Sequence, residues 1–197
     1  MKCEAPCVNI HTHRTAGRGI ELRTAGVHPW EAGRTTVESL LPLESGVQAI
    51  GETGLDFACD TDRAVQLSVF RAQLALARRC GLPVVLHCVR AFNEVMHELR
   101  ETPPRAAIFH GFVGSPQQAR QALEAGWMLS FGVRSFRSPR SVEAMRATPL
   151  SQLFFETDDG DETIESVYRQ AAGLLGVPEE RLRCAALENY NRIFGET

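Results

Sequence analysis

A chain of 197 residues, 44% of them apolar, suffices for one domain with a substantial core and is short for two. Its net charge of −3 excludes a global basic field of the kind that holds nucleic acid by counterion release, so a polyanionic substrate must be gripped locally. No apolar run reaches the ~18 residues of a membrane span, and Met1 to Pro6 lacks the charged-then-apolar build of a secretory signal, so a cytoplasmic protein without a membrane partner is expected.

Short runs rich in Val, Ile, Leu and Phe alternate with longer stretches of helical period, the pattern of βα units around a parallel sheet. Seven strands are predicted in chain order: Cys7 to Ile10, Thr24 to His28, Val47 to Ile50, Pro83 to His87, Ala106 to His110, Trp127 to Phe131 and Gln152 to Glu156. Most are short and almost wholly apolar, as strands covered on both faces are. The clearest helix is expected over Arg63 to Cys80, where Leu67, Phe70, Leu74 and Ala77 recur at three and four residues. Asp60, Thr61 or Asp62 can cap its start, and Gly81 closes it. Further helices are predicted at Thr36 to Glu44, Ala91 to Arg100, Pro116 to Ala125, Pro139 to Ala147, Glu162 to Leu175 and Pro178 to Phe194. The six cysteines are scattered, several within apolar segments, which suits reduced core thiols; Cys3 and Cys7 are half of a metal motif for which no second pair follows.

Six metal-type side chains stand at or just after strand ends: His11, His13, Glu52, His87, His110 and Asp158. In a parallel α/β barrel such ends gather at one mouth, so residues remote in sequence can ligate common ions. At period two, His11 and His13 point the same way. Glu52 is expected to leave its strand between Gly51 and Gly54, and two apolar strands each end in a histidine, His87 and His110. The last strand releases into Glu156-Thr157-Asp158-Asp159, where a helix cap is the competing reading of the acids.

In these residues the chain resembles the TatD family of metal-dependent hydrolases. The likeness rests on the His-x-His strand, Gly26-Val27-His28-Pro29, Gly51-Glu52-Thr53-Gly54-Leu55-Asp56, Leu82-Pro83 to His87, His110-Gly111-Phe112, Leu129 to Gly132, Glu156-Thr157-Asp158 and Asn189 to Phe194. It implies a TIM-barrel-like α/β fold in a single domain over residues 1–197. It also implies one or two divalent ions (Zn, Mn, Mg, Fe or Ni), one held by His11, His13, Glu52 and Asp158 and the other by Glu52, His87 and His110, with Glu52 as the bridge. Family members are typically DNases, so DNA is the expected substrate and no obligate protein partner is expected. Asp158 is the candidate general base. Arg90 and Arg134 are candidate phosphate contacts, with ordinary solvated charge as the competing reading.

Two departures from the family stand out. Asn9 occupies the place of an aspartate, which removes a charge that can orient His11 or His13. Only Arg14 to Val27 separate the first histidine pair from the Val-His-Pro segment, too few for a crossover plus a further strand, so an incomplete, seven-stranded barrel is predicted. The alternative functions are hydrolysis of a small phosphoester, ester or amide, and a metal-binding scaffold without turnover. His28, at a strand end before Pro29, can line the site but carries no ligand signature, His97 reads as a surface residue, and Trp30 reads either as a base-stacking ring or as a lid over the core.

Overall fold

The computed structural model describes residues 5–195; Cys3 lies outside them. Eight strands are present among the described residues: β1 (Val8–Asn9), β2 (Ile20–Glu21), β3 (Thr24–Ala25), β4 (Ala49–Asp56), β5 (Val84–Val89), β6 (Ala107–Phe109), β7 (Met128–Phe131) and β8 (Leu153–Phe155). The helices are α1 (Arg63–Cys80), α2 (Phe92–Glu101), α3 (Pro116–Glu124), α4 (Val133–Phe136), α5 (Pro139–Ala147), α6 (Ile164–Leu175) and α7 (Glu179–Phe194). None is long and apolar enough to cross a membrane.

The described residues group into two compact units, one of residues 5–22 and 110–195 and one of residues 23–109. In the first unit β1 pairs in parallel with β2 on one side and β8 on the other, and β8 pairs in parallel with β7. Phe131, Phe154 and Phe155 are fully buried there, and the Phe155 ring meets Tyr168 of α6 edge-on. The Tyr168 hydroxyl donates to the Val8 carbonyl (3.0 Å), which ties α6 to the strand that leads into His11.

The expected count of seven strands is corrected by β2. A parallel connection ordinarily needs a dozen or more residues, usually with a helix in it. Here residues 10–19 make a helix-free excursion and return into a strand only two residues long. Two features permit the tight return. Gly19 has φ +76°, and a Cβ there would collide with the Cys7 carbonyl; the Glu21 carboxylate accepts from the backbone N–H groups of Ala16 and Gly17.

In the second unit β3, β4, β5 and β6 are parallel neighbours in that order. Helix α1 has the predicted bounds, is capped by Asp62 through the N–H groups of Ala64 and Val65, and ends on Gly81 at φ +67°. It packs on β4 through Phe70, Leu74 and Ala77, and two buried glutamines on the same helix act as backbone clamps. Gln73 bonds both the N–H and the carbonyl of Val27, and Gln66 does the same for Asp56. These amides fix the backbone at two points that carry site residues.

Two other expectations change. Thr36 to Glu44 forms only a 3-10 turn, Val37–Leu40, because Pro42 lacks the N–H that a continuing helix requires. The strand expected to end at Ile50 runs on to Asp56, with a register shift against β5 between Ile50 and Thr53, so Glu52 lies at an irregularity inside the strand. The glycines flanking it serve close approach: a Cβ at Gly51 would strike Val85, and one at Gly54 the His87 carbonyl.

Candidate metal centre

In the first unit the chain leaves β1 through His11-Thr12-His13 and runs beside the segment that leaves β8. Asp158 N–H donates to the His11 carbonyl (3.1 Å) and His13 N–H to the Asp158 carbonyl (3.0 Å), a parallel bridge that sets the two histidines and the aspartate in register. His13 Nε2 lies 3.4 Å and His11 Nε2 3.7 Å from Asp158 Oδ1. His11 is buried, whereas the His13 side chain is 55% exposed, so solvent reaches the set from the His13 side. Asp158 has φ +53°, a left-handed conformation that costs a non-glycine residue ~1 kcal/mol or more and collects at functional sites.

His110 completes this group. Its ring centroid is 4.3 Å from that of His11, and its Nδ1 is 3.2 Å from Glu156 Oε1. Glu156 is fully buried. Burial pushes its carboxyl up, but the neighbouring His110 and His11 rings and the Ser130 hydroxyl outweigh that and hold it below the usual carboxylate range. The chain makes room for it: Gly111 has φ +50°, and a Cβ there would stand 3.3 Å from Glu156 Oε1. One donor atom each from His11, His13 and Asp158, and one each from His110, Glu156 and Asp158, lie within 4.8 Å of one another.

The second unit carries its own donor set, in which His28, Glu52 and His87 place one donor atom each within 4.8 Å. His87 Nδ1 is 2.7 Å from Glu52 Oε1 and 3.3 Å from His28 Nε2, and His28 Nε2 is 3.4 Å from Glu52 Oε1. On the other side of the ring, His87 Nε2 lies 3.2 Å from Asp56 Oδ2. Asp56 also accepts from the Trp30 indole N–H (2.7 Å) and from Ala58 N–H (2.8 Å). Burial raises the Asp56 carboxyl, and these hydrogen bonds more than offset it, leaving the group below its ordinary value.

Mixed imidazole and carboxylate donors at this spacing fit a divalent cation. Each set also has a histidine held by a carboxylate on one ring nitrogen, His110 by Glu156 and His87 by Asp56, the arrangement that fixes tautomer and ring orientation in metal sites. A fully buried glutamate among histidines fits the same reading, because burying that charge is costly without a cation or strong donors nearby.

Sequence reasoning places His28 at a strand end but does not mark it as a donor, and it does not mark Asp56 or Glu156 as site residues. The signal for the two carboxylates was present in Gly51-Glu52-Thr53-Gly54-Leu55-Asp56 and Glu156-Thr157-Asp158, where acids two or four residues apart return to related faces of an extended chain. Asn9 turns out to clamp Thr157: its Nδ2 donates to Thr157 Oγ1 (2.9 Å) and its Oδ1 accepts from Thr157 N–H (3.1 Å). The first of these bonds needs an amide donor, which an ionised aspartate lacks. Arg134, on α4, reaches Asp159 Oδ2 at 2.7 Å and Asp158 Oδ2 at 3.7 Å. Arg90 follows β5, exposed and at φ +52°. His97 is exposed on α2, as expected.

Burial pushes the Cys88 thiol up to about 12 and the Cys7 thiol up to about 11, so both stay protonated at neutral pH and neither is a nucleophile.

The family model described as TatD related DNase matches residues 11–195. Over 192 residues the chain is 31% identical to YabD of Bacillus subtilis, named an uncharacterized metal-dependent hydrolase, with 86% of this chain and 75% of YabD covered. It is 38% identical over 149 residues to the 3'-5' ssDNA/RNA exonuclease TatD of Musicola paradisiaca, covering 68% of this chain and 55% of that one, little more than half its length. The crystal structure of the TatD homolog YjjV from Escherichia coli matches with a TM-score of 0.80 at 24% identity, covering 89% of this chain and 77% of that one. That likeness shows the fold to be the α/β, TIM-barrel-like one.

Proposed function

We propose, from the premise that this chain belongs to the TatD family of metal-dependent hydrolases, that it is a deoxyribonuclease cleaving phosphodiester bonds of single-stranded DNA by attack of water. The observation that carries the reading is the convergence of His11, His13 and Asp158 on one point, with His110 held by a buried carboxylate beside them. The name of the Musicola relative, an exonuclease on single-stranded DNA and RNA, supports the substrate class. We treat the chain as one catalytic domain because the family model spans nearly all of it. A cytoplasmic location suits the free cysteines Cys7, Cys59, Cys80, Cys88 and Cys184.

His11, His13, His110 and Asp158 would hold divalent metal in the first unit, and Glu52 and His87, with His28 beside them, in the second. A divalent ion bound by such donors polarises a phosphoryl oxygen and lowers the pKa of water from 15.7 to about 7. The protein's own part is positioning and proton transfer. Asp158, partly exposed and held rigidly by its backbone bridge to His11 and His13, takes the proton of the attacking water. Glu156 keeps the His110 proton on Nδ1, so that Nε2 carries the lone pair, and Asp56 orients His87 through the opposite nitrogen. Arg134, beside Asp158, offers a guanidinium to a substrate phosphate in the first unit, and Arg90, exposed after β5, is the corresponding candidate in the second.

The test is hydrolysis of an end-labelled single-stranded oligonucleotide with Mn²⁺ or Mg²⁺ by the wild type and by Asp158→Asn, both confirmed to bind metal. The wild type should cleave, and the variant should be slower by ~100-fold or more, the scale of general-base catalysis. A metal-loaded wild type that leaves the oligonucleotide intact would end the nuclease reading and direct attention to small phosphoesters.

A further inference from the structure

Trp30 is the most exposed aromatic ring beside either donor set, at 56%, while Phe70, Phe109, Phe131, Phe154 and Phe155 are buried. A lid over the core would bury its ring, so that reading of Trp30 falls. Its polar groups are already engaged. The indole N–H donates to Asp56 Oδ2 (2.7 Å), the backbone N–H to His28 Nδ1 (3.2 Å), and the carbonyl accepts from the Thr61 hydroxyl (3.1 Å). The ring also meets the His28 imidazole edge-on, with centroids 4.6 Å apart. What remains for solvent is apolar ring surface, held from several sides and costing little conformational entropy to use as a contact.

An open cavity of about 340 Å³ is lined by Trp30 together with Gly33, Arg34, Asp60, Thr61, Asp62 and Val65. That volume is at the lower end for ligand sites, ~300 to 1,000 Å³, and suits a single planar ring system. The Trp30 centroid is 6.2 Å from that of His87, so a group resting on the indole is a neighbour of the His28, Glu52 and His87 donors. This proximity points to a substrate rather than to a protein partner.

We propose that the exposed face of Trp30 is a nucleobase subsite, on which one base of a single-stranded substrate stacks while its phosphodiester stays beside the His28, Glu52 and His87 set. The inference rests on the nuclease reading above and deepens it. Arg34, with its side chain 80% exposed and held only by a long 3.8 Å ion pair to the exposed Glu31, can turn to the neighbouring phosphate. Stacking on an indole tolerates every base, because each has a π face, so the subsite selects unpaired nucleic acid over sugar phosphate without selecting sequence.

The experiment compares phosphorothioate oligothymidylate with an all-abasic oligomer of the same length, binding each to the metal-loaded wild type, Trp30→Phe and Trp30→Leu. Oligothymidylate should quench the indole fluorescence that Trp30→Phe removes, and the abasic oligomer should not. Trp30→Leu should raise the Kd for oligothymidylate by roughly 5- to 150-fold, the range of base stacking on an aromatic ring. Trp30→Phe should retain most of the affinity, and the Kd for the abasic oligomer should stay the same throughout. Equal losses for both oligomers, or no loss for either, would overturn the subsite while leaving nuclease activity standing if the wild type still cuts DNA. A wild type that binds neither oligomer and cuts no DNA would overturn the nuclease reading and the subsite together.

Discussion

The two donor sets solve one problem, orienting a histidine with a carboxylate, in different surroundings. In the first unit Glu156 is fully buried and faces His110, His11 and the Ser130 hydroxyl. In the second, Asp56 is anchored by the Trp30 indole and by Ala58 N–H as well as by His87. A carboxylate whose partners are mainly imidazoles depends on them, and they on it; one with independent donors keeps its place when a single partner is lost. The first set is therefore the more tightly coupled, and Glu156 is its critical support.

The largest effect that bears on this contrast should come from Glu156→Leu, which removes both charge and acceptor. Metal affinity measured by calorimetric titration with Mn²⁺ should fall ~10- to 100-fold, the usual cost of losing such a support. Asp56→Asn should cost less, under ~10-fold, because the amide oxygen still accepts from Trp30 or Ala58. A greater loss from Asp56→Asn than from Glu156→Leu would reverse the ranking and break the account of why the two sets differ.

A smaller effect, away from both sets, sharpens the comparison as a control. Arg71 on α1 holds Glu98 on α2 through two hydrogen bonds of 2.8 and 2.7 Å. Those bonds and the guanidinium charge lower the Glu98 carboxyl below its usual value. Because Arg71 is largely exposed, Arg71→Met should lower the melting temperature only slightly at pH 7 and leave metal affinity unchanged. A carboxylate with a lowered folded pKa stabilises above its unfolded value, ~4.3, and that contribution is lost as pH falls through the folded one. The gap in melting temperature between wild type and variant should therefore narrow as pH falls below about 4.3. A gap that widens in acid would contradict the sign of this coupling.

Much of this was legible in the sequence because it depends on local patterns. Helix α1 follows from the spacing of Phe70, Leu74 and Ala77 between Asp62 and Gly81, and α5 from Pro139 behind the Ser138 cap. The histidines at strand ends were readable because an apolar run that stops at a polar ring is unusual. What escaped depends on contacts made at long range. Strand β2 is two residues long and owes its place to the Gly19 approach to Cys7, which has no period to detect. Gln66 and Gln73 look like polar interruptions of an apolar face until the backbone groups they bond, those of Asp56 and Val27, are known. His28 became a candidate donor only when Gln73 was found to hold the adjacent Val27 backbone and His87 to lie 3.3 Å from its ring. Asn9 in place of an acid reads as a loss until its amide is seen to bond Thr157 with both ends.

The most direct test of the central claim is to strip the protein of metal with a chelator, confirm by elemental analysis that none remains, and assay single-stranded DNA cleavage before and after adding Mn²⁺. Cleavage should vanish in the stripped protein and return with the ion. Undiminished cleavage by verified metal-free protein would contradict the assignment of His11, His13, His110, Asp158, Glu52 and His87 to a metal-dependent reaction.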